Sequence, residues 1–312
     1  MPYRGARRSV QLVGAEISGD IAGQGVHVVD LDAYFERIGY RGTCEPNLAL
    51  LRSLHRLHPS AIAFESLDPL LGRPVAIDVQ SLETKLVRMG RGGYCFEQNG
   101  LFLHVLSTLG FATTPLAARV RWMLPPEAPQ TPVSHMLLKT VLPEGIFVCD
   151  VGFGGQSPTA PLRLEPGLMQ ETEHGIYRFC DAGTGYDLEM RLPDGWVAMY
   201  RFTEEPQTVR DYEVYNRFTA THPASRFVNN LVAALVVGAD RLTLLNTELT
   251  LQRRDGRRAH RLLAGPAELH EALTRDFGIR IARAQIEIVW RRLPKPPDVA
   301  DAGSQPSEGE NR

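Results

Sequence analysis

Cys95, His135 and Asp150 have the residue types, and the chain order, of a thiol-based nucleophilic site. A thiol attacks as its thiolate, so it needs a base to take its proton and a third group to orient that base. Cys95 follows the run Gly90-Arg91-Gly92-Gly93-Tyr94, and a helical apolar pattern begins beside it. Phe96, Leu101, Phe102, Val105, Leu106 and Leu109 recur at three- and four-residue spacing. The glycines supply a turn, and Cys95 falls where that turn becomes a helix. Free amides at a helix N-terminus lower a thiol's pKa, and Arg91 could add to that, although Arg91 and Glu97 read first as structural ion-pair or hydrogen-bond partners rather than catalytic groups. The competing reading is a small, inert core cysteine, the commoner fate of a free thiol.

The base and its orienting group lie on a predicted hairpin. Ser134–Leu142 and Ile146–Val151 read as strands around Pro143-Glu144-Gly145. If Leu142 to Gly145 close the loop, Asp150 stands opposite Leu137 and His135 is its diagonal neighbour on the same face. A carboxylate on an otherwise apolar face needs a partner, and His135 is the nearest. Taken singly, a strand-end aspartate and an exposed histidine are ordinary; with Cys95 they form a triad candidate, which geometry must decide. Val151-Gly152-Phe153-Gly154-Gly155 follows at once, and its glycines let backbone approach a ligand. No Walker loop or dinucleotide fingerprint is present. His55 and His58 lie three apart on a predicted helix, but no third ligand is near, so they read as surface residues and no metal is expected.

Positioning these residues takes several elements. Residues 1–26 read as a flexible extension. Residues 27–112 read as a helical domain: Asp30 or Asp32 caps a first helix, a second starts near Glu45-Pro46 with Leu48, Leu51, Leu54 and Leu57 on its buried side, and a short one covers Leu82–Met89. Residues 113–206 carry closely spaced strands, a small barrel or sandwich. Residues 207–294 hold a helix from Val209 and then an α/β segment, and residues 295–312 read as a disordered tail. The formal net charge of -2 gives no field to attract nucleic acid or an anionic membrane. The longest aliphatic run, Leu231 to Val237, is too short for a bilayer. Four scattered cysteines with no CxxC pair fit reduced thiols, hence a cytoplasmic setting.

The motifs Arg91-Gly92-Gly93-Tyr94-Cys95-Phe96-Glu97-Gln98-Asn99, Ser134-His135-Met136-Leu137-Leu138 and Asp150-Val151-Gly152-Phe153-Gly154-Gly155 resemble those of the arylamine N-acetyltransferases. Asp32–Tyr40 and His222–Phe227 match as well, so the resemblance runs from about His27 to about residue 290. It implies an α+β multidomain fold: an N-terminal helical bundle, a central antiparallel β-barrel and a C-terminal α/β lid, with a triad arranged as in cysteine proteases and transglutaminases. It also implies a Cys95–His135–Asp150 triad, acetyl-CoA as donor and arylamines or hydrazines as acceptors. Phe64, Phe153 and Phe227 are the expected acceptor walls, and Gly154 and Gly155 the expected donor contacts. One departure is visible: Ala63-Phe64-Glu65-Ser66-Leu67 stands where the family often reads Pro-Phe-Glu-Asn-Leu. The expected reaction is two-step acyl transfer by a monomer or homodimer. An amide synthase or thiol hydrolase using the same three residues is the alternative, and a non-catalytic binding protein that kept the fold is a third reading.

Overall fold

The computed structural model describes residues 28–125 and 127–294. The expected N-terminal extension and the expected tail therefore lie outside the described residues.

Helix α1 (Leu31–Ile38) starts on Asp30, whose carboxylate accepts the amide of Ala33. Helix α2 (Leu48–Ala61) starts later than the sequence suggests, because Asn47 rather than Pro46 supplies the cap. Its buried face is also rotated from the expected leucine stripe: Leu50, Leu51, Leu54, His55 and His58 are buried, while Leu48 and Leu57 are only half-buried. A two-residue strand β1 (Phe64–Glu65), helices α3 (Leu67–Leu70) and α4 (Val79–Leu82), and a π-helical continuation over Glu83–Arg88 lead to α5 (Cys95–Thr108).

Eight strands form one antiparallel sheet that nearly closes on itself. They are β2 (Ala112–Val120), β3 (Val133–Leu142), β4 (Gly145–Cys149), β5 (Leu162–Arg163), β6 (Gln170–Thr172), β7 (Gly175–Asp181), β8 (Tyr186–Leu192) and β9 (Gly195–Phe202). Their order is β5-β4-β3-β2-β9-β8-β7-β6. The Gln170 side chain spans the remaining seam, accepting from the Arg163 amide at 2.7 Å and donating to its carbonyl at 2.8 Å, as a neighbouring strand would.

Helices α6 (Val209–Thr221) and α7 (Arg226–Asn229) then lead to a second sheet of β10 (Val232–Val237), β11 (Asp240–Leu245), β12 (Glu248–Gln252) and β13 (Arg258–Leu262). β1 pairs with β10 at its edge, so a segment from the helical stretch joins the C-terminal sheet. Helices α8 (Pro266–Glu271) and α9 (Arg283–Arg292) cover that sheet. Three apolar clusters result: one within the barrel, one between the second sheet and its helices, and one where α2 and α5 pack beneath β3 and β4. Among the described residues no helix is long and apolar enough to cross a membrane. The molecule is α+β, with helices and two antiparallel sheets contributing separate layers.

Candidate active site

Helix α5 begins at Cys95 because the preceding chain is clamped. Gly92 lies so close to the Ala63 carbonyl that a Cβ there would fall 2.1 Å from its oxygen. The amide of Gly93 donates to that same carbonyl, and the amide of Glu65 donates to Gly93. At the helix start the Glu97 carboxylate accepts the Tyr94 amide at 3.1 Å, satisfying a donor that the first turn leaves free.

The β3–β4 hairpin has the register that its turn dictates. Leu142 pairs with Gly145 and Leu138 with Cys149, so Leu137 and Asp150 come next. On its other side β3 is bulged: His135 pairs with Ala118 and Val133 with Arg119, leaving Ser134 without a ladder partner. The freed Ser134 carbonyl accepts from the Cys95 thiol at 3.4 Å. The bulge thus turns β3 toward the helix start just where His135 projects.

His135 Nε2 meets Asp150 Oδ2 at 2.8 Å, with both side chains almost wholly buried. The Cys95 sulfur also acts on that imidazole, whose Nε2 is already engaged by Asp150. The three predicted residues, drawn from a helix and a hairpin, are therefore together. Asp150 Oδ1 accepts from Asn99 Nδ2 at 2.9 Å and from the Gly152 amide at 3.0 Å. Asn99 Oδ1 in turn accepts the Val151 amide. Gly152 touches the helix directly: a Cβ there would lie 3.0 Å from the Cys95 Cα and 2.9 Å from Asn99 Nδ2. Burial opposes a charge on His135, but the Asp150 carboxylate outweighs it, with Cys95 adding to it, and the imidazolium is pushed up to about 10. Burial also opposes charge on Asp150; His135, Asn99 and the Gly152 amide together hold its carboxyl below the usual range.

Phe153 stands edge-on to His135 at 5.3 Å between ring centres, flanked by Trp122 and Tyr200. Phe64 and Phe227 form a second pair, 5.8 Å apart, with Phe227 also against Tyr94. Gly154 lies against the Phe64 ring and Gly155 against Thr243, and with Val151 and Arg241 they line one small cavity. Of the five predicted pocket residues, Phe153 thus lies on His135, Phe227 on Tyr94 and on Phe64, Gly154 on Phe64, and Gly155 against Thr243 of β11.

Arg91 takes the ion-pair role read for it rather than adding to Cys95: its guanidinium is bound to Glu65 at 2.6 and 2.9 Å and to Asp68 at 3.3 Å, so its charge is already engaged. His55 and His58 are fully buried rather than on the surface, because α2 packs under α5 and the end of β4. His58 bridges Tyr34 and Gln98, and His55 accepts the Asp150 amide at 3.0 Å. Among the described residues no group of three or more His, Cys, Asp or Glu side chains could hold a metal. Reasoning from sequence assigned no function to Asn99, Ser134, Tyr200 or His55. Asn99 and Ser134 carried a signal, since both stand within the motifs quoted for the resemblance; Tyr200 carried none.

The N-acetyltransferase family model matches residues 47–286. The arylamine N-acetyltransferase of Mycobacterium tuberculosis is 44% identical over 257 residues, covering 81% of this chain and 90% of that one. The arylamine N-acetyltransferase / N-hydroxyarylamine O-acetyltransferase of Salmonella typhimurium is 36% identical over 252 residues, 80% of this chain and 89% of its own. The solved structure of the Mycobacterium marinum arylamine N-acetyltransferase in complex with CoA superposes with a TM-score of 0.81 at 41% identity, over 85% of this chain and 100% of that one. Identity at this level, over nearly the whole described chain and with the helix start and hairpin brought together as above, places this chain in the arylamine N-acetyltransferase family.

Proposed function

We propose that the chain transfers the acetyl group of acetyl-CoA to arylamines, arylhydrazines and N-hydroxyarylamines in two steps, through a thioester on Cys95. The observation that carries this reading is the His135–Asp150 contact at 2.8 Å with the Cys95 sulfur on the same imidazole.

In this reading His135 takes the thiol proton of Cys95, giving an imidazolium that the Asp150 carboxylate stabilises beside a thiolate. The thiolate attacks the acetyl carbonyl of the donor, the carbon–sulfur bond to CoA breaks, and the departing thiolate takes the proton from His135. The amine nitrogen then attacks the acetyl-cysteine carbonyl, neutral His135 takes the amine proton, and the Cys95 thiolate leaves. Asp150 holds the imidazole with Nδ1 toward the sulfur throughout. Arylamines are weakly basic, so the attacking nitrogen is unprotonated at neutral pH.

Phe153 on His135, and the Phe64–Phe227 pair, are the walls we assign to a flat aromatic acceptor. Gly154 and Gly155 are the backbone we assign to the donor. In this reading residues 27–112 carry the nucleophile, 113–206 the base and its carboxylate, and 207–294 the cover. All four cysteines are unpaired, which suits a reducing, cytoplasmic setting, and the working unit is a monomer or homodimer.

The test is the intact mass after incubation with acetyl-CoA and no acceptor. The expected result is one added acetyl group, lost in Cys95→Ala and discharged by an arylamine. Steady release of CoA without an amine would instead mark a thiol hydrolase, and an unmodified mass would remove the thioester from the mechanism.

A further inference from the structure

We propose that His55 is a positioning residue for the Asp150 carboxylate, acting as an obligatory neutral acceptor for the Asp150 main-chain amide. The inference rests on the Cys95–His135–Asp150 reading above and extends it to a residue outside that triad.

His55 and His58 sit one turn apart on α2 with no exposure, and their partners fix opposite tautomers. Gln98 Nε2 donates to the Ala63 and Gly93 carbonyls, so its Oε1 must accept, and His58 Nε2 donates to it at 2.7 Å. His58 Nδ1 is then the acceptor for the Tyr34 hydroxyl at 2.9 Å. Both nitrogens of His58 are satisfied, as in a core histidine. His55 differs. Its Nε2 accepts the Asp150 amide at 3.0 Å, so its proton is on Nδ1, and that Nδ1 has no partner among the described residues.

A buried donor left unpaired costs stability, so simple packing does not favour an imidazole at this place. What the ring supplies is an acceptor aimed at one amide. Asp150 is held from several sides: Oδ2 by His135, Oδ1 by Asn99 of α5 and by the Gly152 amide, and its own main-chain amide by His55 of α2. The carboxylate sits just past the last paired residue of β4, where no ladder bond fixes its main chain. Without His55 the Asp150 amide would be an orphan in a closed interior, and the peptide would turn to find another acceptor, carrying the carboxylate off His135. The ring must stay neutral to accept. The charged and titratable groups facing it are Asp150, from the end of β4, and His58 on its own helix. Burial holds His55 down to about 4, against the pull of Asp150, so the neutral form persists through the working range.

The experiment compares His55→Leu, of similar volume with no acceptor, with His55→Gln, whose Oε1 reaches the same depth as the imidazole Nε2. Three quantities are read: kcat/KM for acetyl transfer, the pH profile of Cys95 alkylation, and the thermal unfolding midpoint. We expect His55→Leu to lose about 10- to 100-fold in kcat/KM and to shift the alkylation profile, and His55→Gln to recover most of both, the size expected for an outer partner of a reacting group. Equal losses in the two variants, or a normal profile in His55→Leu, would overturn the proposal. If His55→Leu does not fold, His55→Asn replaces it, because its oxygen stops short of the amide; the same outcomes then decide. Acetylation of the wild-type protein separates the two readings. If wild-type Cys95 takes no acetyl group, the triad reading fails; if it does and the variants behave alike, only the assignment of His55 fails.

Discussion

On one side of the first turn of α5, five buried or half-buried charges alternate in a line: Glu65, Arg91, Asp68, Lys85 and Glu97. Each cation lies between two carboxylates, at distances from 2.5 to 3.3 Å. On the other side, Asp150 and the Cys95 sulfur share a single imidazole. Both clusters are largely buried, where charge is costly and partners decide its fate. In the first line both cations are fully engaged, and its members hold the glycine turn, α3 and the π-helical stretch together. In the second, the sulfur and the carboxylate depend on one imidazole between them. Burial of charge alone therefore does not mark a reactive site; the count of partners does.

The comparison can be broken most sharply at Asp150. Asp150→Asn keeps the shape but reverses the hydrogen-bonding demand on His135, and we expect turnover to fall by about 10³- to 10⁴-fold with the unfolding midpoint nearly kept. Near-normal turnover in steady-state assays would take the carboxylate out of the chemistry. The next largest effect belongs to the opposite cluster. Arg91→Gln strands Glu65 as a buried, unpaired carboxylate, and we expect a stability loss of about 3–5 kcal/mol by denaturant titration, while the turnover of the molecules that remain folded is preserved. A loss of turnover without a loss of stability would blur the distinction drawn here.

The smallest effect is that of pH on stability, read as the unfolding midpoint from pH 4 to pH 10. His135 has a native pKa raised to about 10, so its contribution is complete below its ordinary value near 6.5 and is lost as pH rises through 10. His55 and His58 are lowered by burial, to about 4 and about 3, so theirs is complete above 6.5 and is lost as pH falls toward those values. Asp150, also lowered, adds loss at still more acid pH. We expect a plateau near neutrality that falls on both sides, with the alkaline fall absent in His135→Gln.

Much of the site was legible before any coordinates. A two-residue turn and the strict alternation of a strand fix which residue faces which, so the pairing of Leu138 with Cys149, and with it the approach of Asp150 to His135, followed from spacing. The glycine turn before Cys95 was equally plain. What was hidden depends on distant chain. Arg91 is claimed by Glu65 and Asp68, 26 and 23 residues away, which no local pattern announces. The orientation of α2 depends on what lies above it, so its histidines were misplaced while its helical period was clear. Strand β1 has two residues and no period to read, and β13, Arg258–Leu262, is exposed along its whole length and shows no apolar alternation. Ser134 acquires its importance from a bulge, and a bulge is a mismatch between two strands rather than a property of either.

Gly152 meets the backbone of Cys95 with no room for a methyl group. The sulfur, the imidazole and the carboxylate belong to segments 40 and 15 residues apart along the chain, and this seam is where those segments interlock. A nascent molecule in which the helices have formed but the hairpin has not docked carries a thiol with no imidazole beside it. If Cys95 carries the acetyl group as proposed above, acetyl transfer begins only once the hairpin has closed against the helix.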